Sequence, residues 1–236
     1  MSEQSLSAAF RHISPGAHNF VFLGEAGGGK SEVALNLALS FAASGEKEVH
    51  FFDLDMTKPL FRSRDRADFL AARGVTVHFE EQFYDAPTLA GGVNRLLRDE
   101  GCITVLDVGG DYIGARSIGG YAPLLNRAET AVWYVINPYR PWSMDIEHID
   151  KVLGQVLGVS HVRLEPLRIL SNPNLGPETT AEDVLEGAAQ LARMIGPYKS
   201  IDLVTARAEL AAALEGKLST PVCPITLQLT YEWLQE

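Results

Sequence analysis

The sequence has very little cysteine and no long hydrophobic run. Its two cysteines, Cys102 and Cys223, are too few for a disulfide framework or for a structural zinc site built on cysteine alone. No apolar stretch approaches the roughly 18 residues that a membrane-spanning helix needs. The first residues also lack the basic start and apolar core of a signal peptide. We therefore expect a cytoplasmic protein.

Basic side chains are scarce as well. Lysine and arginine number 20 against 30 aspartates and glutamates, which gives a formal net charge of −10 at pH 7. Non-specific binding to nucleic acid or to an anionic membrane requires a basic surface. The charge balance therefore argues against nucleic acid and membrane as partners, and no basic stripe or basic amphipathic helix stands out along the chain.

What the sequence does contain is a regular alternation of short apolar segments with longer helical ones. Hydrophobic residues make up 46% of the 236 residues, which is typical of a globular protein. Short apolar strands alternating with helices of about 10–15 residues favour βαβ units and a parallel sheet. The predicted fold class is therefore α/β, with three helix–sheet–helix layers around a mainly parallel sheet. We expect residues 1–15 to form an arm or a short helix and residues 16–236 to form a single domain.

The periodicity of apolar residues sets the expected elements. The expected strands are 19–23, 49–54, 75–79, 103–107, 131–136, 167–170, 201–204 and 224–229. The expected helices are 31–43, part of 59–73, 88–99, 143–157, 178–195 and 206–218. Helix 31–43 is apolar on both sides, so we expect it to be buried.

The most specific feature lies between the first strand and the first of these helices. The segment is Gly24-Glu25-Ala26-Gly27-Gly28-Gly29-Lys30-Ser31, which matches the pattern G-x-x-x-x-G-K-[ST]. A phosphate chain needs several backbone N–H groups pointing inward, and glycines let the backbone wrap that closely. The helix that follows offers its positive N-terminal end to the same anion. The pattern predicts a P-loop in which Lys30 reaches the β- and γ-phosphates and Ser31 binds Mg²⁺.

A P-loop needs an acidic partner for its metal ion. The apolar strand Ile103-Thr104-Val105-Leu106-Asp107 is typical of a Walker-B strand, and we expect Asp107 to hold Mg²⁺ through water. Gly109 and Gly110 follow and allow the backbone to swing towards a γ-phosphate. Taken alone, the same strand is also explained by an aspartate in a turn.

Four motifs in this order resemble the MinD/ParA-like division (SIMIBI class) of P-loop NTPases. They are the P-loop near the N-terminus, Phe51-Phe52-Asp53-Leu54-Asp55, Asp107-Val108-Gly109-Gly110, and Val135-Ile136-Asn137-Pro138 followed by Asp145 and Leu170-Ser171-Asn172. The match runs from residue 20 to residue 174. The resemblance implies a P-loop NTPase fold in which Lys30, Asp55 and Asp107 are catalytic.

The resemblance also assigns roles to single residues. Asp55 resembles the aspartate that positions the attacking water, and Asp53, directly behind it, is expected to complete the Mg²⁺ site. Asn172 resembles the asparagine that hydrogen-bonds the base, and Pro224 stands where the family packs the base. From the residues alone, a strand end and a turn explain the two aspartates as well, and asparagine before proline is common turn chemistry.

The P-loop departs from the family at two positions. The family pattern K-G-G-x-G-K-[ST] begins with a lysine that crosses a dimer interface to the partner's nucleotide. This chain has Glu25 at that position and Ala26 in place of a glycine. A carboxylate cannot stabilise the charge of a phosphoryl group in transfer, so this departure argues against the family's usual dimeric hydrolysis.

Arginines elsewhere are candidates to supply the missing positive charge. One of Arg62, Arg64 and Arg66 could act as an arginine finger, in cis or in trans, and Arg140 is a further candidate. The alternative for the first three is a solvated helix face with i,i+4 ion pairs.

Three functions stay open from the sequence. The first is a slow, Mg²⁺-dependent ATPase that acts as a nucleotide switch for a protein partner or a homodimer. The second is a small-molecule kinase or ATP-dependent ligase, with its acceptor near Asp111, Tyr112, Arg116 and the Arg62–Arg66 cluster. The third is a nucleotide-binding sensor with little hydrolysis, which Glu25 favours. We expect ATP rather than GTP, because Asn172-Pro173-Asn174-Leu175 has neither the lysine nor the aspartate of the guanine motif N-K-x-D.

Overall fold

A single parallel sheet forms the centre of the molecule. The computed structural model describes residues 6–55, 63–79 and 92–229. The strands are β1 (Asn19–Leu23), β2 (Glu48–Leu54), β3 (Val75–Phe79), β4 (Cys102–Val108), β5 (Thr130–Ile136), β6 (Arg168–Ser171), β7 (Leu203–Arg207) and β8 (Val222–Ile225). Their order is β3-β2-β4-β1-β5-β6-β7-β8, and each adjacent pair is parallel. The predicted parallel sheet is confirmed.

Helices cover both faces of this sheet. On one face lie α1 (Leu6–Ile13), α2 (Lys30–Ser44) and α3 (Ala67–Ala71). On the other lie α4 (Val93–Leu96), α5 (Tyr112–Ser117), α6 (Ala122–Leu125), α7 (Ile146–Ser160) and α8 (Ala181–Ile195), with α9 (Ala211–Leu214) beside α8. This is the predicted three-layer arrangement. No helix in the described part of the chain is long and apolar enough to cross a membrane.

Alternation along the strands explains why both layers are hydrophobic. On β1, Phe20 and Phe22 face the layer with α1 and α2, whereas Val21 and Leu23 face the opposite layer. Successive side chains of a strand point to opposite faces, so a strand covered on both sides is apolar throughout. The short apolar runs in the sequence therefore predict central strands rather than surface ones.

The N-terminal residues that the structure describes belong to the core. Helix α1 contributes Phe10, which is fully buried. Its ring centroid lies 4.5 Å from that of Trp133 and 6.1 Å from that of Phe20. The sequence predicts either an arm or a short helix for residues 1–15, and residues 6–13 form a helix.

Three parts of the secondary structure differ from the sequence predictions. The helix expected at 206–218 is reduced to α9, because β7 continues to Arg207 and pairs with β8. Strand β8 ends at Ile225 rather than at residue 229. The two short helices α5 and α6 were not predicted, since their glycine-containing sequence carries no clear helical period. Of the helix expected at 88–99, α4 is the described part, and residues 88–91 lie outside the described residues.

Two histidines meet between β2 and β3. Nδ1 of His50 lies 3.0 Å from Nε2 of His78, and the His78 ring stacks on Phe52 with centroids 4.4 Å apart. Burial lowers the pKa of both imidazoles below the usual 6.5, and the pKa of His78 is lowered further by His50. Both rings are therefore neutral in the folded protein at neutral pH.

This pair makes the fold sensitive to mild acid. A histidine whose pKa is lowered by folding binds its proton first in the unfolded chain, so the free energy of unfolding falls as the pH drops below about 6.5. We expect the His78→Phe variant, which keeps a ring against Phe52, to lose less stability than the parent between pH 7.5 and 5.5. Urea unfolding at the two pH values measures this. Equal losses would show that the pair does not contribute, because His18, whose pKa is also lowered by burial, is present in both proteins.

Candidate nucleotide-binding site

The predicted P-loop forms the turn that joins β1 to α2 at the carboxyl edge of the sheet. Gly24, Gly27 and Gly29 adopt positive φ angles of 132°, 74° and 92°, a region that favours glycine. The ammonium of Lys30 donates to the carbonyl oxygen of Glu25 at 3.1 Å. The loop therefore curls back over the first turn of α2, where backbone N–H groups and the helix dipole favour an anion.

Glycine is also required because neighbouring segments press against this loop. A Cβ atom on Gly24 would overlap the backbone carbonyl of Val135 in β5, and one on Gly29 would overlap the side-chain amide of Asn172. A Cβ atom on Gly110, which follows β4, would lie 2.5 Å from the backbone nitrogen of Ala26. The carboxyl ends of β4, β5 and β6 therefore fix the position of the loop.

The candidate metal ligands lie at the same edge. Asp107 is the register partner of Phe22 on β1 and of Asp53 on β2. Both carboxylates are buried, with 1% and 2% of their surface exposed, and Ser31 at the start of α2 is 4% exposed. The hydroxyl of Ser63 donates to Oδ2 of Asp107 at 2.8 Å. The carboxyl ends of β2 and β4 therefore lie beside the P-loop, as the sequence predicts.

The chemistry of these groups fits Mg²⁺. A serine hydroxyl and carboxylates are hard oxygen donors, and Mg²⁺ beside a nucleotide is typically held by one or two protein carboxylates together with phosphates and waters. The described residues contain no cluster of three or more histidine, cysteine or acidic side chains that could bind a metal by themselves. A metal ion at this edge would take phosphate oxygens and waters as its further ligands.

Asp53 and Asp55 are joined by an arginine that follows β2 in the chain. Arg64 donates its Nε to Oδ2 of Asp53 at 3.0 Å, and its Nη2 donates to the carbonyl oxygen of Asp55 at 2.9 Å. The backbone N–H of Arg64 donates to the same carboxylate. Of the finger candidates, Arg64 is held in this ion pair, Arg66 lies over the ring of Phe69, and Arg62 lies outside the described residues.

Removal of this arginine should destabilise the protein. Asp53 is 2% exposed, so its charge would remain buried without its partner, and such a loss costs about 2–4 kcal/mol. We expect Arg64→Ala to lower the free energy of unfolding by that amount, as measured in guanidinium chloride. Arg73→Ala is the control, because Arg73 is exposed, lies over the ring of Phe69 and donates to the carbonyl oxygen of that residue, and surface changes cost about 0.5 kcal/mol. Similar losses in both variants would contradict the prediction.

Asn172 lies directly after β6 and is 2% exposed. Its Nδ2 donates to the carbonyl oxygen of Gly28 at 3.0 Å, and its Oδ1 accepts from the hydroxyl of Thr205 at 3.0 Å. The side chain therefore braces the P-loop against β7, a role that the sequence did not indicate. Its contact with a base stays a prediction.

Pro224 lies inside β8, opposite Ala206 of β7, rather than in the expected strand–loop junction. The residues after β8 cross to the P-loop helix, where the carboxylate of Glu32 accepts from the backbone N–H groups of Gln228 and Leu229. The end of the sheet is thereby tied to the first turn of α2. Packing of Pro224 against a base stays a prediction.

Helix α7 and the loop that precedes it each contact the P-loop. Nε2 of His148 lies 2.9 Å from Oε1 of Glu25, and Nε of Arg140 donates to the carbonyl oxygen of Gly27 at 3.0 Å. Burial, and secondarily the negative charge of Glu25, raise the pKa of Tyr134 in β5. Glu25 therefore faces β5 and α7. No motif in the sequence indicates His148, which is 123 residues away from its partner.

Comparison with solved structures places this site in a known fold. The 54 kDa protein of the signal recognition particle from Aeropyrum pernix K1, solved with GDP, covers 80% of this chain with 16% identity and a TM-score of 0.50. The receptor FtsY from Elizabethkingia anophelis, also solved with GDP, covers 85% with 12% identity and a TM-score of 0.49. The hydrogenase maturation factor HypB from Archaeoglobus fulgidus covers 86% with 13% identity and a TM-score of 0.43.

The likeness to these structures is confined to part of their length and to their fold. The chain spans 41% of the first structure and 63% of the second. No protein-family model and no curated protein sequence matches the chain. The eight-stranded parallel sheet with helices on both faces and a glycine-rich turn after β1 is the three-layer fold of P-loop NTPases.

Proposed function

We propose that this protein binds Mg²⁺ and a nucleoside triphosphate and works as a slow ATPase, as a switch for a protein partner or for its own association. The observation that supports this proposal is the shape of the loop from Gly24 to Lys30. Its glycines adopt positive φ angles, and the ammonium of Lys30 folds back to the carbonyl oxygen of Glu25. This geometry supports phosphate binding. In it, Lys30 would bind the β- and γ-phosphates, while Ser31 and Asp107 would hold the metal ion, which neutralises phosphate charge when bound.

The switch is supported by how the segment after β2 is held. Ser63 donates to Asp107, and Arg64 donates to Asp53. Both acceptors are carboxylates at the proposed metal site, so a bound metal ion would compete for the same oxygens. Ser63 and Arg64 would then change position with the nucleotide state, and Asp55 would orient the attacking water. Slow turnover suits a switch, since its output depends on the lifetime of the bound state.

The proposal also covers which nucleotide base the protein binds and which family it belongs to. We place the chain in the MinD/ParA-like division, on the order of its motifs. We favour ATP because Leu175, which is exposed, stands where guanine-specific proteins carry an aspartate. GTP is the competing ligand to test, since the signal recognition particle structure contains GDP.

A sensor with little hydrolysis is the second candidate function. The observation that favours it is the pairing of Glu25 with His148, because the family's lysine at this position is replaced by a side chain committed to α7. Such a protein would bind nucleotide tightly and release phosphate at a rate that does not rise with protein concentration. A kinase or ligase would instead release ADP only when an acceptor is present.

Calorimetric titration with ATP, GTP and ADP, each with and without Mg²⁺, tests the proposal. We expect ATP to bind with micromolar affinity in the presence of Mg²⁺ and GTP to bind about tenfold more weakly or worse. Phosphate release from the same samples at increasing protein concentration separates the switch from the sensor. Absence of binding to all three nucleotides would refute the proposal.

A further inference from the structure

We propose that His148 is a positioning residue that holds the carboxylate of Glu25 out of the phosphate-binding loop. The inference rests on the proposed nucleotide binding and concerns how this chain tolerates an acidic residue within its P-loop. Glu25 takes part in the loop through its backbone, since its carbonyl oxygen accepts from Lys30. Its side chain leaves the loop on the side of α7 and ends on His148.

The contact between Glu25 and His148 is short, and both side chains are partly buried. Nε2 of His148 and Oε1 of Glu25 are 2.9 Å apart, and the two side chains are 39% and 21% exposed. The carboxylate also lies beside a small cavity lined by Tyr134, Trp142 and Ile149. Because the pair is partly shielded from water, the hydrogen bond is strong enough to select one direction for the glutamate.

The element that carries His148 is itself held in place. The carboxylate of Asp145 caps α7 and accepts from the backbone N–H of Glu147 at 2.9 Å. Ile149, next to His148, is buried in the core. Arg140, from the segment before α7, donates to the carbonyl oxygen of Gly27 two residues after Glu25. The β5–α7 segment therefore fixes the tip of the loop from outside.

Charge explains why this direction matters. An ATP molecule in the loop adds several negative charges close to residue 25, and like charges at short range repel even near the protein surface. While Glu25 is hydrogen-bonded to His148, its carboxylate is directed away from the phosphates. Without His148 the carboxylate would be free to turn towards them, and the resulting repulsion would grow with the number of phosphates.

Nucleotide binding by single and double variants tests the inference. We expect His148→Ala to weaken ATP binding about tenfold, ADP binding about threefold and adenosine binding not at all. In the Glu25→Gln background, which removes the charge, the same change at His148 should have no effect. His148→Gln, whose amide can still donate to the carboxylate, should restore most of the affinity. Gln155→Ala, an exposed neutral change on the same helix, is the matched control.

The controls separate three outcomes. If the parent protein binds no nucleotide, the proposed function fails, whatever His148 does. If the parent binds but His148→Ala weakens all three ligands equally, or does so equally with Glu25→Gln present, His148 only supports the fold and the inference is overturned. If His148→Ala does not fold by circular dichroism, His148→Leu fills the same space without a donor and is measured in its place. If guanine nucleotides bind more tightly, the series is GTP, GDP and guanosine.

Discussion

Replacement of Lys30 by alanine is expected to abolish nucleotide binding while the protein stays folded. In the proposed function, the ammonium of Lys30 would supply the positive charge that binds the phosphates, and Lys30 is only 5% exposed. A charged contact to a shielded phosphate contributes about 3–4 kcal/mol, which corresponds to a loss of about a hundredfold or more in affinity. Calorimetric titration of the variant with Mg²⁺ and ATP measures the effect.

Two controls accompany this measurement, namely the free energy of unfolding of Lys30→Ala and nucleotide binding by Lys47→Ala. The ammonium of Lys30 donates to a loop carbonyl, and removal of such a hydrogen bond should change the free energy of unfolding by about 1 kcal/mol. Lys47→Ala is the matched control, because Lys47 is exposed and its ammonium bonds to the carbonyl of Glu100. Parent-like binding by a folded Lys30→Ala variant would show that the P-loop assignment is wrong.

The parts of the fold that were predictable from sequence depend on local patterns. β1 and β3 have the predicted bounds, 19–23 and 75–79, because each is a short run rich in apolar residues next to a glycine, a pattern that admits few alternatives. The P-loop was predictable because its glycine spacing specifies a backbone path. In contrast, the alanine-rich stretch after residue 205 has high helix propensity, yet β7 runs to Arg207 because pairing with β8 outweighs that propensity.

The contacts that complete the site are all distant in sequence. Glu25 meets His148, Asn172 meets Gly28, and Ser63 meets Asp107 at separations of 123, 144 and 44 residues. No spacing pattern encodes these pairs, because they depend on which strand ends the sheet brings side by side. The sequence therefore predicted the acidic and glycine residues of the candidate site, and it left open where Glu25 points and what Asn172 holds.

A second large effect is expected at the first glycine of the loop. In Gly24→Ala, the new methyl group would overlap the carbonyl oxygen of Val135 at a φ of +132°. The methyl position is set by the backbone and the carbonyl is part of the backbone, so neither group can rotate away, and the P-loop must separate from β5. Backbone strain and overpacking together should lower the free energy of unfolding by about 3–5 kcal/mol, and the displaced loop should lose nucleotide binding.

Gly45→Ala separates the two causes of this loss. Gly45 ends α2 at a φ of +64°, and nothing lies within 4 Å of the place that its Cβ atom would take. Its replacement therefore adds left-handed strain without an overlap, which costs about 1–2 kcal/mol, and nucleotide binding should persist. Urea unfolding of both variants, with ATP titration of each, gives the comparison. If the two variants lose equal stability, close contact with Val135 does not constrain the loop, and only the backbone angle requires glycine at position 24.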